Sequence, residues 1–101
     1  MVRRTRCHAA VINGKVLRNI VVAYEGTPSC CTAIEIKPFI GETHSTDVFN
    51  GAVVVTPLSY KFHPEDYTLT IENFSMVLGE IAADVPSVTG NDGVKLFFME
   101  L

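Results

Sequence analysis

The stretch Asp47-Val-Phe-Asn-Gly-Ala-Val-Val-Val-Thr-Pro57 contains the densest apolar run in the chain. Its Asn50-Gly51 pair accepts the positive φ values that a tight hairpin turn requires. Residues 52–55 then run apolar without alternation, so a strand formed here must be covered on both faces. Pro57 ends that strand because proline lacks the N–H donor of the next ladder bond. The stretch predicts the central strand of a β-sandwich or barrel.

Length and composition predict one small domain with apolar surface to hide. The chain has 101 residues, which predicts a single β-domain over residues 1–101. Hydrophobic residues make up 48% of the chain and the mean hydropathy is +0.27, both high for so short a chain. We therefore expect a homo-oligomer or a complex with a protein partner.

Charge is sparse and unevenly distributed. The net charge is −3, so we predict no nucleic-acid partner. No apolar run approaches the roughly 20 residues of a membrane span, so no membrane association is predicted. Five of the eight basic residues fall within the first 18 positions. Residues 1–6 are predicted as a basic arm, interpreted as a solvated terminus attracted to the acidic second half rather than as a phosphate or lipid site.

The cysteines argue against a disulfide framework. Cys7, Cys30 and Cys31 are odd in number, and adjacent cysteines do not bridge without strain. No apolar segment typical of a signal peptide follows the N-terminal arginines. These features together predict a protein of the reducing cytoplasm.

The first two strands are predicted as a hairpin. Asn13-Gly14 is the strongest short-range turn signal in the sequence, and it joins residues 7–12 to residues 15–24. The returning strand is largely apolar on both faces, which is typical of an interior strand.

The third strand shows clean alternation. Within residues 31–37, Ile34 and Ile36 share one face while Glu35 and Lys37 share the other. This pattern predicts a half-buried strand, which residues 38–41 end.

The second half of the chain contains one helix signal. Residues 58–66 are predicted as a surface loop and residues 67–71 as a strand. A helix is predicted at about residues 73–83, with Asn73 as a possible N-cap, although a strand there remains a competing interpretation. Apolar side chains recur at helical spacing in Phe74, Val77, Leu78, Ile81 and Ala82.

The last predicted strand, residues 94–101, is apolar on both faces. Such a strand is either buried on both sides or lies in an interface between molecules. The candidate interface residues are Val94, Leu96, Phe97, Phe98 and Met99.

The residues that could carry chemistry lack recognisable spacing. His8, His44, His63 and the cysteines do not fall at C-x2-C, H-x-H or H-E-x-x-H spacing, so no metal site and no cofactor are predicted. An enzyme that uses Cys30, Cys31 or His44 is the third of three functional hypotheses. No catalytic residue is assigned.

Several segments resemble a known family. Residues 10–24, 34–36 and 49–57 are similar to the opening strands of metal-dependent amidohydrolases, and residues 73–79 and 93–101 are similar to their closing helix and strand. In that family these strands form a small composite β-domain beside a TIM-like barrel. Here residues 58–63 hold one histidine where the family has its H-x-H metal pair, and no barrel fits before residue 67. The resemblance implies the scaffold without the catalytic residues.

These observations predict a mainly β protein, a small sandwich or partly open barrel with hairpins and at most one short helix. We predict a non-catalytic, stand-alone domain that acts in self-association or partner assembly. The alternative is a small-ligand-binding domain with a pocket beside Tyr60, Phe62 and His63.

Overall fold

The fold is a five-stranded β-barrel with one additional short strand and one helix. The computed structural model describes residues 2–41, 46–88 and 93–101. The strands are β1 (Val2–Ile12), β2 (Lys15–Thr27), β3 (Cys30–Pro38), β4 (Thr46–Val48), β5 (Gly51–Pro57) and β6 (Val94–Glu100). The α-helix is α1 (Phe74–Asp84), and a 3-10 turn spans Pro64–Asp66.

Strand pairing closes the barrel in the order β1-β2-β3-β6-β5-β1. β1 pairs antiparallel with β2 and parallel with both β4 and β5, while β6 pairs antiparallel with β5. β3 meets β6 at one residue pair, Cys31 opposite Val94. The predicted mainly β architecture is confirmed, and the sheet is a barrel rather than a sandwich.

The predicted first hairpin is confirmed. Ile12 pairs with Lys15 across the turn, and Asn13 and Gly14 have φ values of 52° and 74°. Both lie in the left-handed region that the two residues of a type I′ turn require. The two strands that this turn joins are the longest in the described chain.

The prediction of a solvated basic arm at residues 1–6 is wrong for the part that the structure describes. Val2 to Arg6 form the first half of β1, where Thr5 is buried and pairs with Val22. The Arg6 guanidinium lies 3.9 Å from the centroid of the Phe39 ring and also donates to Asn19. Alternation at Thr5 and Cys7 thus extends the strand to the N-terminal side, a pattern that the arginines obscure in the sequence.

The predicted hairpin turn at Asn50-Gly51 is also wrong. β4 and β5 run in the same direction along β1, so they are two parts of one interrupted strand. Neither Asn50 nor Gly51 has a positive φ. Glycine is required for a different reason: a Cβ at Gly51 would lie 2.0 Å from the carbonyl oxygen of Met99 on β6.

The central position predicted for β5 is confirmed. Val53 and Val55 point into the barrel, while Ala52 and Val54 face outward beneath α1, and all four are fully buried. Two hydrophobic clusters therefore meet at this strand. One fills the barrel interior, and the other lies between the barrel wall and α1.

The helix predicted at residues 73–83 is confirmed as Phe74–Asp84, and the competing strand interpretation is wrong. All five apolar side chains at helical spacing are buried against the barrel. Asn73 occupies the N-cap position, but its side chain bonds the backbone of Thr68 and Thr70 instead of the helix. No helix in the described ranges is long and apolar enough to cross a membrane.

Residues 67–71, predicted as a strand, form an irregular segment. Tyr67 stacks on Phe62 with ring centroids 5.8 Å apart, and Leu69 is buried under α1. The Asn73 side chain satisfies the Thr70 N–H and the Thr68 carbonyl, so the local backbone does not depend on a β-ladder for these bonds. Of the alternating apolar side chains, those of Tyr67 and Leu69 pack against the barrel without strand pairing, whereas that of Ile71 is exposed.

Candidate functional site

The three residues predicted to line a ligand pocket do not form one shared site. Phe62 is a core side chain, 7% exposed, that packs edge-on against Phe97 at 5.2 Å. Tyr60 is half-buried beside the same cluster. His63 is exposed and its Nδ1 lies 3.1 Å from the Glu65 carboxylate. Hydrogen bonding by the Glu65 backbone N–H, followed by His63, lowers the pKa of that carboxyl.

Most of the predicted interface strand is covered within the chain itself. Val94, Leu96 and Met99 are 3%, 4% and 5% exposed, and Phe97 and Phe98 are half-buried. The two faces of β6 pack into the barrel interior and against the helix-side cluster, respectively. Of the two alternatives for this strand, the structure therefore shows burial on both sides. Its apolar character gives no support to an interface.

Two of the three cysteines, Cys7 and Cys31, are buried, which disfavours nucleophilic chemistry, whereas Cys30 is exposed. Burial raises the pKa of the Cys7 thiol to about 11, and burial followed by the neighbouring Cys30 raises the pKa of the Cys31 thiol. The Cys31 thiol donates to the Thr27 carbonyl oxygen at 3.0 Å. Cys7 and Cys31 are therefore protonated near neutral pH, whereas nucleophilic attack requires the deprotonated thiolate.

The described histidines form their side-chain hydrogen bonds with residues other than the cysteines. His8 and His63 bond Asn50 and Glu65, and His44 lies outside the described residues. The described ranges contain no group of three or more His, Cys, Asp and Glu side chains able to hold a metal ion.

In the described part of the chain, most of one side of β3 has no paired strand. On one side β3 pairs with β2 over its whole length, from Cys30 opposite Thr27 to Pro38 opposite Ile20. On the other side, its pairing with the described part of β6 is confined to Cys31. In residues 2–41, 46–88 and 93–101, no other strand bonds to that side of residues 32–38. This side of residues 32–38 is here called the β3 edge.

The direction of each backbone group on β3 follows from the register. The Phe39 N–H donates to Asn19 at 2.9 Å, so Lys37 and Glu35, at two-residue intervals, also direct their N–H and C=O groups toward β2. The N–H and C=O groups of Ile34 and Ile36 then point outward. Pro38 follows the same alternation, with an outward C=O but no N–H, as expected of proline on an edge strand.

The side chains of β3 separate an apolar face from a charged one. Ile34 and Ile36 pack against the barrel-interior cluster. Glu35 and Lys37 lie on the outer face, with side chains 63% and 67% exposed, respectively, and with their charged atoms 3.3 Å apart. The β3 edge thus presents outward backbone groups between one acidic and one basic side chain.

A shallow groove runs beside the charged face. Its volume is about 240 Å³, and its lining includes Glu35, Lys37, Val21 and Ile40. The Ile40 side chain is 96% exposed, more than any other large apolar side chain in the described ranges. Since Val21 and Ala23 in this lining belong to β2, the uncovered apolar surface lies on the β2 side of β3, away from the β3 edge.

Sequence reasoning identified this strand but assigned it no role. Lys37 followed by Pro38 is typical of an edge strand, so the sequence does contain a signal for this position in the sheet. The decisive feature is the single-residue contact between β3 and β6, which depends on how far β6 is displaced along the barrel. No local pattern encodes that displacement.

Comparisons of the chain with protein-family models, with curated proteins and with solved structures found no match. The resemblance to the composite domain of amidohydrolases therefore stays a prediction from the sequence. We infer function from the geometry of the described residues.

Proposed function

We propose that this protein is a non-catalytic assembly domain that forms a homodimer through its β3 edge. The observation that carries the proposal is the row of outward backbone groups on residues 32–38, which the described strands leave without ladder partners. Exposed edges of this kind add a further strand readily, because the N–H and C=O groups are already aligned. A second copy of this chain supplies an identical edge.

Charge selects one register for this pairing. In an antiparallel dimer with Ile36 opposite itself, Glu35 faces Lys37 of the second copy, and the symmetry axis repeats this pair. These positions form a non-hydrogen-bonded pair, in which cross-strand side chains approach most closely. A register centred on Glu35 opposes two carboxylates and is disfavoured.

The backbone groups suit the same register. Ile36 exchanges both of its hydrogen bonds with Ile36 of the second copy. The Ile34 N–H of each copy donates to the outward carbonyl of Pro38 in the other copy. Because proline has no N–H, the return bond to the Ile34 carbonyl is missing, so the ladder loses one hydrogen bond on each side of the axis. The pairing is isologous and uses the β3 edge of each copy, so the assembly closes as a dimer rather than extending into a filament.

Composition and resemblance support an assembly role. The chain is 48% hydrophobic, and the solvent-exposed Ile40 lines the groove on the β2 side of β3. A domain resembling the amidohydrolase composite domain without its barrel has surface that such a barrel would otherwise cover. Burial of this surface by a second copy gives the dimer an apolar contribution.

A charge-exchange experiment tests the proposed interface. We expect Lys37→Glu alone, or Glu35→Lys alone, to raise the dimer dissociation constant about tenfold, because two attractive pairs become repulsive at about 0.5–1 kcal/mol each. The double variant Glu35→Lys/Lys37→Glu restores opposite charges across the axis and should return the constant to near the original value. Sedimentation velocity over a concentration series measures each constant.

Lys61→Glu is the matched control, since Lys61 is exposed on the loop between β5 and α1 and makes the same change in net charge. The Glu35–Lys37 pair within one chain is solvent-exposed and contributes little to folding, so the single variants should remain folded by circular dichroism. A wild-type protein that is monomeric at all concentrations would overturn the proposal. A dimer weakened equally by Lys37→Glu and Lys61→Glu would overturn the β3 interface.

A further inference from the structure

A second feature, separate from the β3 edge, is an open cleft between the barrel and the start of α1. Its volume is about 380 Å³, within the range of small-molecule sites. Residues from five separate parts of the chain meet there. The lining is His8, Arg18, Asn50, Ile71, Phe74, Ser75 and Leu101.

Arg18 is the charged group of the cleft. Its guanidinium donates to the Ser75 hydroxyl and lies 5.5 Å from the centroid of the Phe74 ring. These two contacts hold the long side chain at the cleft wall, although it projects from an exposed position on β2. Since a guanidinium has five N–H donors and Ser75 uses one, donors remain for an anion, and their planar arrangement suits a carboxylate.

His8 and Asn50 form a polar pair on the opposite side. The His8 Nε2 lies 2.8 Å from the Asn50 Oδ1, an acceptor, so Nε2 carries the proton. This bond orients the imidazole and leaves Nδ1 for another partner. No Asp or Glu side chain from the described ranges lines the cleft.

The remaining wall is apolar. The Ile71 side chain is 86% exposed. It follows Thr70, whose backbone N–H donates to the Asn73 side chain and is held in place by this bond. Phe74, by contrast, is buried at the base of the cleft, where it belongs to the helix-side core. A ligand with an apolar body would cover Ile71 while its head group reached Arg18.

We propose that this cleft binds a small monocarboxylate with an apolar body. One fixed cation matches a single negative charge, and the neighbouring side chains match a hydrocarbon or aromatic portion. The site needs neither the dimer nor a residue of the β3 edge.

The test uses 2-naphthoate as the probe and neutral 2-naphthamide as its matched comparison. We expect titration with 2-naphthoate to shift the backbone amide resonances of Phe74 and Ser75, with at least about tenfold weaker binding of the amide. Arg18→Gln should weaken 2-naphthoate binding by about tenfold and leave 2-naphthamide binding unchanged. Ile71→Ser should weaken binding of both compounds.

Lys15→Gln is the control variant because it removes the same charge from an exposed position of the same strand, outside the cleft. It should bind 2-naphthoate as the wild type does. Equal affinity for the acid and the amide, an equal effect of Arg18→Gln and Lys15→Gln, or the absence of any shift up to millimolar probe would each overturn the proposal. Sedimentation of the same variants shows whether the dimer is unaffected.

Discussion

Two glycines show how one residue type serves different physical needs. Gly14 has a φ of 74° and allows the turn of the first hairpin. Gly51 has no such φ, but any side chain there would collide with the Met99 carbonyl of the adjacent strand. The local sequence is Asn-Gly in both places, so sequence alone predicts the same turn twice. The difference depends on which strand lies next to each glycine.

At the same scale, the buried thiol of Cys7 predicts a pH dependence of stability. Its pKa is raised by burial from an ordinary value of 9.0 to about 11. Below pH 9 the thiol is protonated in both folded and unfolded chains, so it adds no dependence. Between about pH 9 and 11 the unfolded chain releases the proton while the folded chain keeps it, so the free energy of unfolding should decrease as pH rises.

Urea denaturation at a series of pH values, with protein concentration constant, measures this decrease. The Cys7→Ala variant removes the titrating group and should show a smaller decrease over the same interval. Met76→Ala is the control, since it alters an exposed side chain and removes no titrating group, so its slope should be as in the wild type. Parallel curves for the wild type and Cys7→Ala would contradict the burial of this thiol.

At the scale of elements, α1 acts as a cover for the barrel wall. Leu78 is fully buried between the helix and the barrel, whereas Met76 of the same helix is 63% exposed. We expect Leu78→Ala to lower the free energy of unfolding by about 2–5 kcal/mol through lost burial and a residual cavity. Met76→Ala should change it by less than about 0.5 kcal/mol. Similar losses in the two variants, measured by urea denaturation, would contradict the orientation of α1.

Patterns confined to a few neighbouring residues predicted their elements well. The Asn13-Gly14 turn, the spacing from Phe74 to Ala82 and the unbroken apolar run of β5 each contain their own signal. Patterns that alternate without strand pairing misled, as in residues 67–71, where the Asn73 side chain replaces the ladder. The parallel pairing of β1 with β4 and β5 joins segments about 40 residues apart and has no local signature.

The candidate sites were less predictable than the elements. The predicted pocket centred on Phe62, an aromatic residue whose side chain proves to be needed in the core. The cleft arises where separate elements end beside one another, so its residues are scattered in sequence. The β3 edge is one continuous segment, but it depends on the short pairing of β3 with the described part of β6. Apolar content correctly indicated surface to be covered, but it could not distinguish cover by α1 from cover by another molecule.

At the scale of the whole molecule, the barrel is closed unevenly. Phe98 packs against Tyr24 and Phe49 beside the barrel-interior cluster, with ring centroids 6.4 and 5.2 Å from its own, respectively. The β3–β6 seam, in contrast, is joined at Cys31 and Val94, with one further bond from the Leu96 N–H to the Pro28 carbonyl. In the described part of the chain, this short seam leaves residues 32–38 without a strand partner on that side, and the proposed dimer uses the same side.

Amide hydrogen exchange of β3, measured by NMR at low and high protein concentration, tests the proposed dimer most directly. The N–H groups of Glu35 and Lys37 point toward β2 and should be protected at both concentrations. The N–H groups of Ile34 and Ile36 point outward, so they should exchange rapidly in dilute protein and become protected when the second copy binds. Equal exchange of Ile34 and Ile36 at the two concentrations would contradict pairing through this edge.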